Sequence, residues 1–136
     1  MGVTLALTYD NLNRLLSQSI GSDLTRFTCT PDGKLASVTS PKGTTTQMTY
    51  DDLGQRTAVR DALNNVVQMS YDSVGNLIKT DIKDLANGSQ LTRSYIYDER
   101  NQLKRSINPD ASATYFEYLY DALGNITTTS TTNGAA

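Results

Sequence analysis

The sequence predicts an all-β fold: antiparallel β-hairpins repeated into one curled or spiralling meander sheet. Three observations carry that reading. One motif recurs six times along the 136 residues: two large side chains two apart, then Asp, then Gly or Asn three residues on, then a return to apolar sequence. The Gly/Asn positions, Asn13, Gly33, Gly54, Gly75, Asn101 and Gly124, are spaced 20, 21, 21, 26 and 23 residues apart. That is the spacing of a structural repeat. The composition also favours strand over helix, with eight Tyr, abundant Thr and Ser, and charged residues held to 19%.

The motif reads as a turn between two strands. Its best copy is Met69, Tyr71, Asp72, Gly75 and Leu77. Asp at the start of a type I turn accepts backbone N–H groups two residues on. The position three further along needs a positive φ, which Gly adopts freely and Asn tolerates best. The same turn is predicted at Tyr9, Asp10 and Asn13, at Tyr50, Asp51 and Gly54, at Tyr97, Asp98 and Asn101, and at Tyr120, Asp121 and Gly124. The second copy departs most: Cys29 and Thr30 stand in the Tyr-Asp positions before Gly33. Alternation along a strand sends Met69 and Tyr71 to one face and Ser70 to the other. The first face also receives Leu7/Tyr9, Phe27/Cys29, Met48/Tyr50, Tyr95/Tyr97 and Tyr118/Tyr120. The second receives Thr8, Thr28, Thr49 and Ser70, then turns apolar at Ile96 and Leu119.

Taken in order, Leu15–Ile20 is an outgoing strand, 21–23 a turn, and 24–29 the return. Residues 35–40 go out, Pro41 to Gly43 turn, and 44–50 come back; Pro early and Gly late suit turn chemistry. Arg56–Arg60 goes out, 61–65 turns and Val66–Tyr71 returns. Residues 77–82 go out, a long turn spans 83–88, and 90–97 return. Leu103–Ile107 goes out, 108–110 turns and 114–120 return, leaving Ile126–Thr132 as a last outgoing strand. Residues 58–67 and 81–90 are the best helix candidates. Neither holds an apolar stripe at helical spacing between two caps, so helix content is expected to be minimal. A meander of about twelve strands cannot stay flat, because strand twist accumulates.

The Tyr-Asp-x-x-Gly-Asn-Leu core at Tyr71–Leu77, nearly repeated from Tyr120 to Ile126, resembles the RHS/YD-repeat family, which includes bacterial polymorphic-toxin and toxin-complex shell repeats and teneurin-like proteins. The resemblance runs from about Leu7 to Ile126. It implies a spiralling hairpin sheet forming the wall of a hollow shell, which in full-length relatives encloses and delivers a toxic C-terminal domain. It also implies a secreted or surface-exposed bacterial setting. The whole chain then reads as one array of about six units, residues 1–136, cut from a longer protein. Its expected partners are neighbouring repeats of the same shell and an enclosed toxin domain.

Composition and residue types narrow the chemistry. Twelve Lys and Arg against 14 Asp and Glu give a net charge of −2, which points to neither nucleic acid nor an anionic membrane. No apolar run reaches the roughly 18 residues of a membrane span. With no His, imidazole catalysis and His metal sites are absent. Cys29 is the one Cys, read as a structural thiol; Ser nucleophiles lack a base other than Lys, and no Ser-x-x-Lys occurs. Calcium wants six to eight oxygens, whereas each Asp loop offers one dependable carboxylate. Paired-carboxylate hydrolysis needs two groups across a cleft, and the neighbours Asp51 and Asp52 point opposite ways. No enzyme activity and no cofactor or metal is therefore expected. The autoprotease that accompanies such repeats in the resembled family has no recognisable motif here. Two other roles fit the residues: a carbohydrate-binding surface in which the Tyr rings stack on sugars, and a self-assembling filament or adhesin array. The apolar stripe and open strand edges also predict that the isolated chain associates with copies of itself.

Overall fold

The computed structural model describes Gly2 and residues 4–108 and 114–132. These hold twelve β-strands and no helix. The strands are β1 (Leu5–Tyr9), β2 (Leu15–Ile20), β3 (Asp23–Cys29), β4 (Leu35–Thr39), β5 (Thr45–Tyr50) and β6 (Arg56–Arg60), then β7 (Val66–Tyr71), β8 (Leu77–Asp84), β9 (Ser89–Tyr97), β10 (Leu103–Ile107), β11 (Tyr115–Tyr120) and β12 (Ile126–Thr132). They are taken up in chain order without a crossover. The fold class is thus the expected one, an antiparallel hairpin meander. The chain divides into two compact units, Met1–Asn65 with β1 to β6 and Val66–Ala136 with β7 to β12.

In the first unit each strand pairs antiparallel with the next, and the register slips by one residue beside each motif turn: at Thr8/Tyr9, Thr28/Cys29 and Thr49/Tyr50. The second unit does the same at Ser70/Tyr71, Leu103/Arg105 and Leu119/Tyr120. The slip is the bulge that follows when a type I turn closes through a left-handed residue.

Burial alternates along the strands as the sequence pattern requires. In β7, Met69 and Tyr71 are half-buried and Ser70 is exposed; β5 repeats this with Met48, Tyr50 and Thr49. Tyr95, Tyr97, Tyr118 and Tyr120 are half-buried, with Ile96 and Leu119 exposed between them. In the first unit the other face carries hydroxyls that pair across strands, Thr8 Oγ1 with Ser17 Oγ at 2.6 Å and Thr28 Oγ1 with Ser37 Oγ at 2.6 Å.

Two expectations are corrected. The long turn after β8 is shorter than the sequence suggested, because Lys83 pairs with Gln90 and Asp84 with Ser89, leaving only residues 85–88 as loop. Asp84 and Asn87 side chains tie that loop by accepting from the Ala86 and Ser89 N–H groups. The aromatic stripe is also not left wet. Strands about 4.8 Å apart let each large side chain cover the flank of the next, so Met48, Met69 and the tyrosines after the first strand are half-covered without a second layer. Among the described residues only Val66 (9%) and Ser106 (8%) are truly buried. The proposed turn at 108–110 falls partly outside the described residues. Asn108 N–H does reach the Thr114 carbonyl at 2.8 Å.

Candidate functional site at the hairpin turns

Each motif turn is built around its Asp. Asp72 Oδ1 accepts from Val74 N at 3.1 Å and Asn76 N at 2.8 Å, and Asp72 Oδ2 accepts from Asn76 Nδ2 at 2.9 Å. The backbone closes beneath it, with Gly75 N donating to the Asp72 carbonyl at 3.1 Å and Gly75 at φ 96°. Asp10 takes Leu12 N and Arg14 N, Asp51 takes Leu53 N and Gln55 N, Asp98 takes Arg100 N and Gln102 N, and Asp121 takes Leu123 N and Asn125 N, all within 3.0 Å. Asn13, Gly33, Gly54, Asn101 and Gly124 stand at φ between 60° and 90°. In the second copy Thr30 does the carboxylate's work through its hydroxyl, accepting from Lys34 N at 3.0 Å.

The carboxylates are tuned by these bonds. The Asn76 side-chain amide holds the Asp72 carboxyl below its ordinary range, and Asn125 does the same for Asp121. For Asp10 the leading cause is the Arg14 backbone N–H. In these three carboxylates both oxygens are engaged. Among the described residues no group of three acidic or thiol side chains is placed to hold a metal ion.

The tyrosines have a second task. Tyr50 Oη donates to the Leu35 carbonyl at 2.9 Å, Tyr97 Oη to Leu77 at 3.0 Å, and Tyr120 Oη to Leu103 at 2.8 Å. In every case the acceptor lies two residues past the preceding turn's Gly or Asn. The Tyr therefore ties its own turn to the one before. Burial raises the Tyr97 phenol above its ordinary value. Tyr71 is half-buried, with its hydroxyl 3.8 Å from Met69 Sδ. Cys29 sits half-buried in the Tyr slot of the second copy, where no hydroxyl is present. There the link between turns is made by Arg14, held by Asp10 Oδ2 at 2.6 Å and donating to the Thr30 carbonyl at 3.0 Å. Asn76 Nδ2 makes a comparable link to Asn101 Oδ1 at 3.0 Å.

Three features went unread in the sequence. Asp61 forms the same cap just past the end of β6, taking Leu63 N, Asn65 N and the Asn65 amide at 2.9 Å, with Asn64 at φ 67°. Its Asp-x-x-Asn-Asn spelling was the signal. The Asn that follows the left-handed residue, at 65, 76 and 125, is a working member of the turn. The third feature is the turn tip, where Leu12, Leu53, Val74 and Leu123 stand largely exposed, Leu123 at 89%.

These turns and ladders define an array of repeated hairpins, a structural scaffold in which the recurring residues hold one another. The RHS Repeat family matches residues 30–66, 50–90 and 97–136, and the chain belongs to that family. No curated protein matches it. Among solved structures it is similar to a chain of the TcdB2-TccC3-Cdc42 crystal structure, at 19% identity and a TM-score of 0.77, with 91% of this chain and 7% of that one covered. Chains of the TcdB2-TccC3-TEV and TcdB2-TccC3 structures match at 22% identity with the same TM-score and coverage. At these identities the likeness is one of fold. This chain spans about 7% of the length of the chains it matches.

Proposed function

We propose that this chain is a stretch of shell wall: one continuous array of about six hairpin repeats, residues 1–136, within a much larger secreted or surface-exposed bacterial protein whose shell encloses and delivers a toxic C-terminal domain. In this reading it is not an enzyme and needs no cofactor. Its partners are the neighbouring repeats of the same spiralling wall and the enclosed domain. The observation that carries the reading is how completely the recurring residues are spent on one another. Asp10, Asp51, Asp72, Asp98 and Asp121 cap their own turns, and Tyr50, Tyr97 and Tyr120 bind backbone carbonyls. A site for chemistry would leave such groups facing a substrate. The family match and the small fraction of the fold neighbours that this chain covers support the same reading.

Electron microscopy of the protein that carries this segment tests it. The expected image is a hollow shell with these hairpins in its wall. A solid or extended particle, with the repeats outside any enclosure, would overturn it. A glycan array on the 136-residue chain addresses the carbohydrate-binding alternative. The hydroxyls of Tyr50, Tyr97 and Tyr120 are committed to backbone carbonyls and offer sugars few polar handles, so no binding is expected.

A further inference from the structure

We infer that the loop between β8 and β9 is a self-modifying site: the Gly88 backbone nitrogen attacks the Asn87 side-chain amide, which is converted in water, without an enzyme, to aspartate and isoaspartate. The fold selects this one asparagine from all those in the described residues.

The reaction closes an imide ring between an asparagine's side-chain carbon and the backbone nitrogen of the next residue. It needs that nitrogen unengaged, no bulky side chain on the next residue, and a mobile, solvated amide. The capped turns deny the first requirement. The N–H after Asn11 and the N–H after Asn13 both donate to Asp10 Oδ1. The one after Asn64 donates to Asp61 and the one after Asn101 to Asp98. Asn65, Asn76 and Asn125 are withheld in another way. Their amides are held by Asp61, Asp72 and Asp121, and the residue that follows each is the branched Val66, Leu77 or Ile126 that opens a strand. Asn108 precedes Pro109, which has no N–H to give up. Asn133 lies outside the described residues.

Asn87 meets every requirement. It stands exposed in the loop 85–88, and Gly88 follows it, also exposed, at φ 72°. A Cβ at Gly88 would have nothing within 4 Å, so the space around the nitrogen is open. Among the described residues the Gly88 N–H donates to no backbone carbonyl. The Asn87 side chain is also oriented, because Ser89 N–H donates to Asn87 Oδ1 at 2.8 Å. That donor sits on the oxygen where negative charge builds as the nitrogen attacks, which is the placement that stabilises such an oxyanion.

The balance is simple. The Gly88 nitrogen gives its proton to hydroxide and bonds to Asn87 Cγ; the Cγ–Nδ2 bond breaks and ammonia leaves. Water then opens the imide. Opening at the side-chain carbonyl gives aspartate, and opening at the backbone carbonyl gives isoaspartate, with the main chain lengthened by a methylene. One water is consumed, one ammonia is released, and nothing is oxidised or reduced. The loop gains a negative charge close in sequence to Asp84, whose own Oδ1 takes the Ala86 N–H, so the change is one-way and alters the charge of this rim with time.

The test holds the folded 136-residue chain in warm, mildly alkaline buffer and follows tryptic peptides by mass spectrometry, with digestion under mildly acidic conditions. Peptide 84–93, between Lys83 and Arg93, carries Asn87 and no other Asn. It should gain about 1 Da, as an amide nitrogen is exchanged for oxygen, and accept a methyl group from an isoaspartyl methyltransferase. The rate should rise in proportion to hydroxide and be no lower in the folded chain than in concentrated urea. Asn87→Gln should lose the gain altogether. An amide that survives in the folded chain but is lost in urea would overturn the inference, because the loop would then be protecting it. Equal loss at Asn76 or Asn125 in the folded chain would overturn the selection, and a gain that persists in Asn87→Gln would place the chemistry at Gln90 instead.

Discussion

At the scale of single residues, the turn is a contest between backbone strain and hydrogen bonding. Gly75 stands at φ 96°, while Asn13 and Asn101 occupy the equivalent place at 64° and 60°. Gly75→Val should destabilise by more than about 1 kcal/mol, because a β-branched side chain resists positive φ. Gly75→Asn should cost far less, since the backbone need only relax toward the geometry of the Asn turns. Denaturant melts compare the two, and equal losses would remove the left-handed turn as the cause. The Asp caps add a pH dependence. The folded-state carboxyls of Asp10, Asp72 and Asp121 lie below the ordinary value of 3.8. A depressed carboxyl binds its proton more readily in the unfolded chain, so its contribution is complete above that value and disappears as pH falls through the lower folded one. Stability should be flat from neutral pH to about 5 and fall below about 4. Asp72→Asn should make that acid loss shallower in thermal melts across the same range; an unchanged slope would mean that Asp72 contributes nothing to it.

At the scale of strands and hairpins, the sequence was most legible where the residue type has one physical job. Gly, Asn and Asp announce turns because few residues adopt positive φ or cap a turn, and every motif turn could be placed from them. Strand ends near those turns were legible for the same reason. The far loops were less so. Residues 83–84 read as loop because Lys and Asp look polar and mobile, yet they extend β8 through pairing with Gln90 and Ser89. Asp61 was passed over because no Tyr precedes it. The tyrosine ladder was invisible because a hydroxyl's partner, a carbonyl on the preceding hairpin, has no spelling in sequence. That ladder has a measurable consequence. Tyr97→Phe keeps the ring and removes the donor to the Leu77 carbonyl, so it should cost about 1 kcal/mol in denaturant unfolding. A neutral outcome would mean that water replaces the hydroxyl without loss.

For the molecule as a whole, the scarcity of buried side chains shifts the burden of stability onto strand pairing and turns. Both oxygens of Asp72 and Asp121 are already taken by backbone and Asn groups. Millimolar calcium or a chelator should therefore leave the melting temperature where it is. A rise of several degrees with calcium would show that a loop binds the ion in the native state. Ser17 faces Arg26, Ser37 faces Gln47, Lys79 faces Ser94 and Arg105 faces Glu117, in each case the residue four past one turn's Gly or Asn against the residue three before the next Tyr or Cys29. This constancy of strand register across hairpins of unequal loop length has a consequence for how such a chain tolerates editing. Each Asp-x-x-Gly turn restarts the alignment, so a length change in one far loop is confined there. A ten-residue insert between Leu85 and Gly88 should cost only the added entropy of closing a longer loop, on the order of 1 kcal/mol. A single residue inserted between Asp72 and Gly75 should abolish the turn and misalign the two strands it joins. The two rims of the sheet would then differ as margin and spine differ in a bound book: one can be written on freely, and the other holds the pages in order.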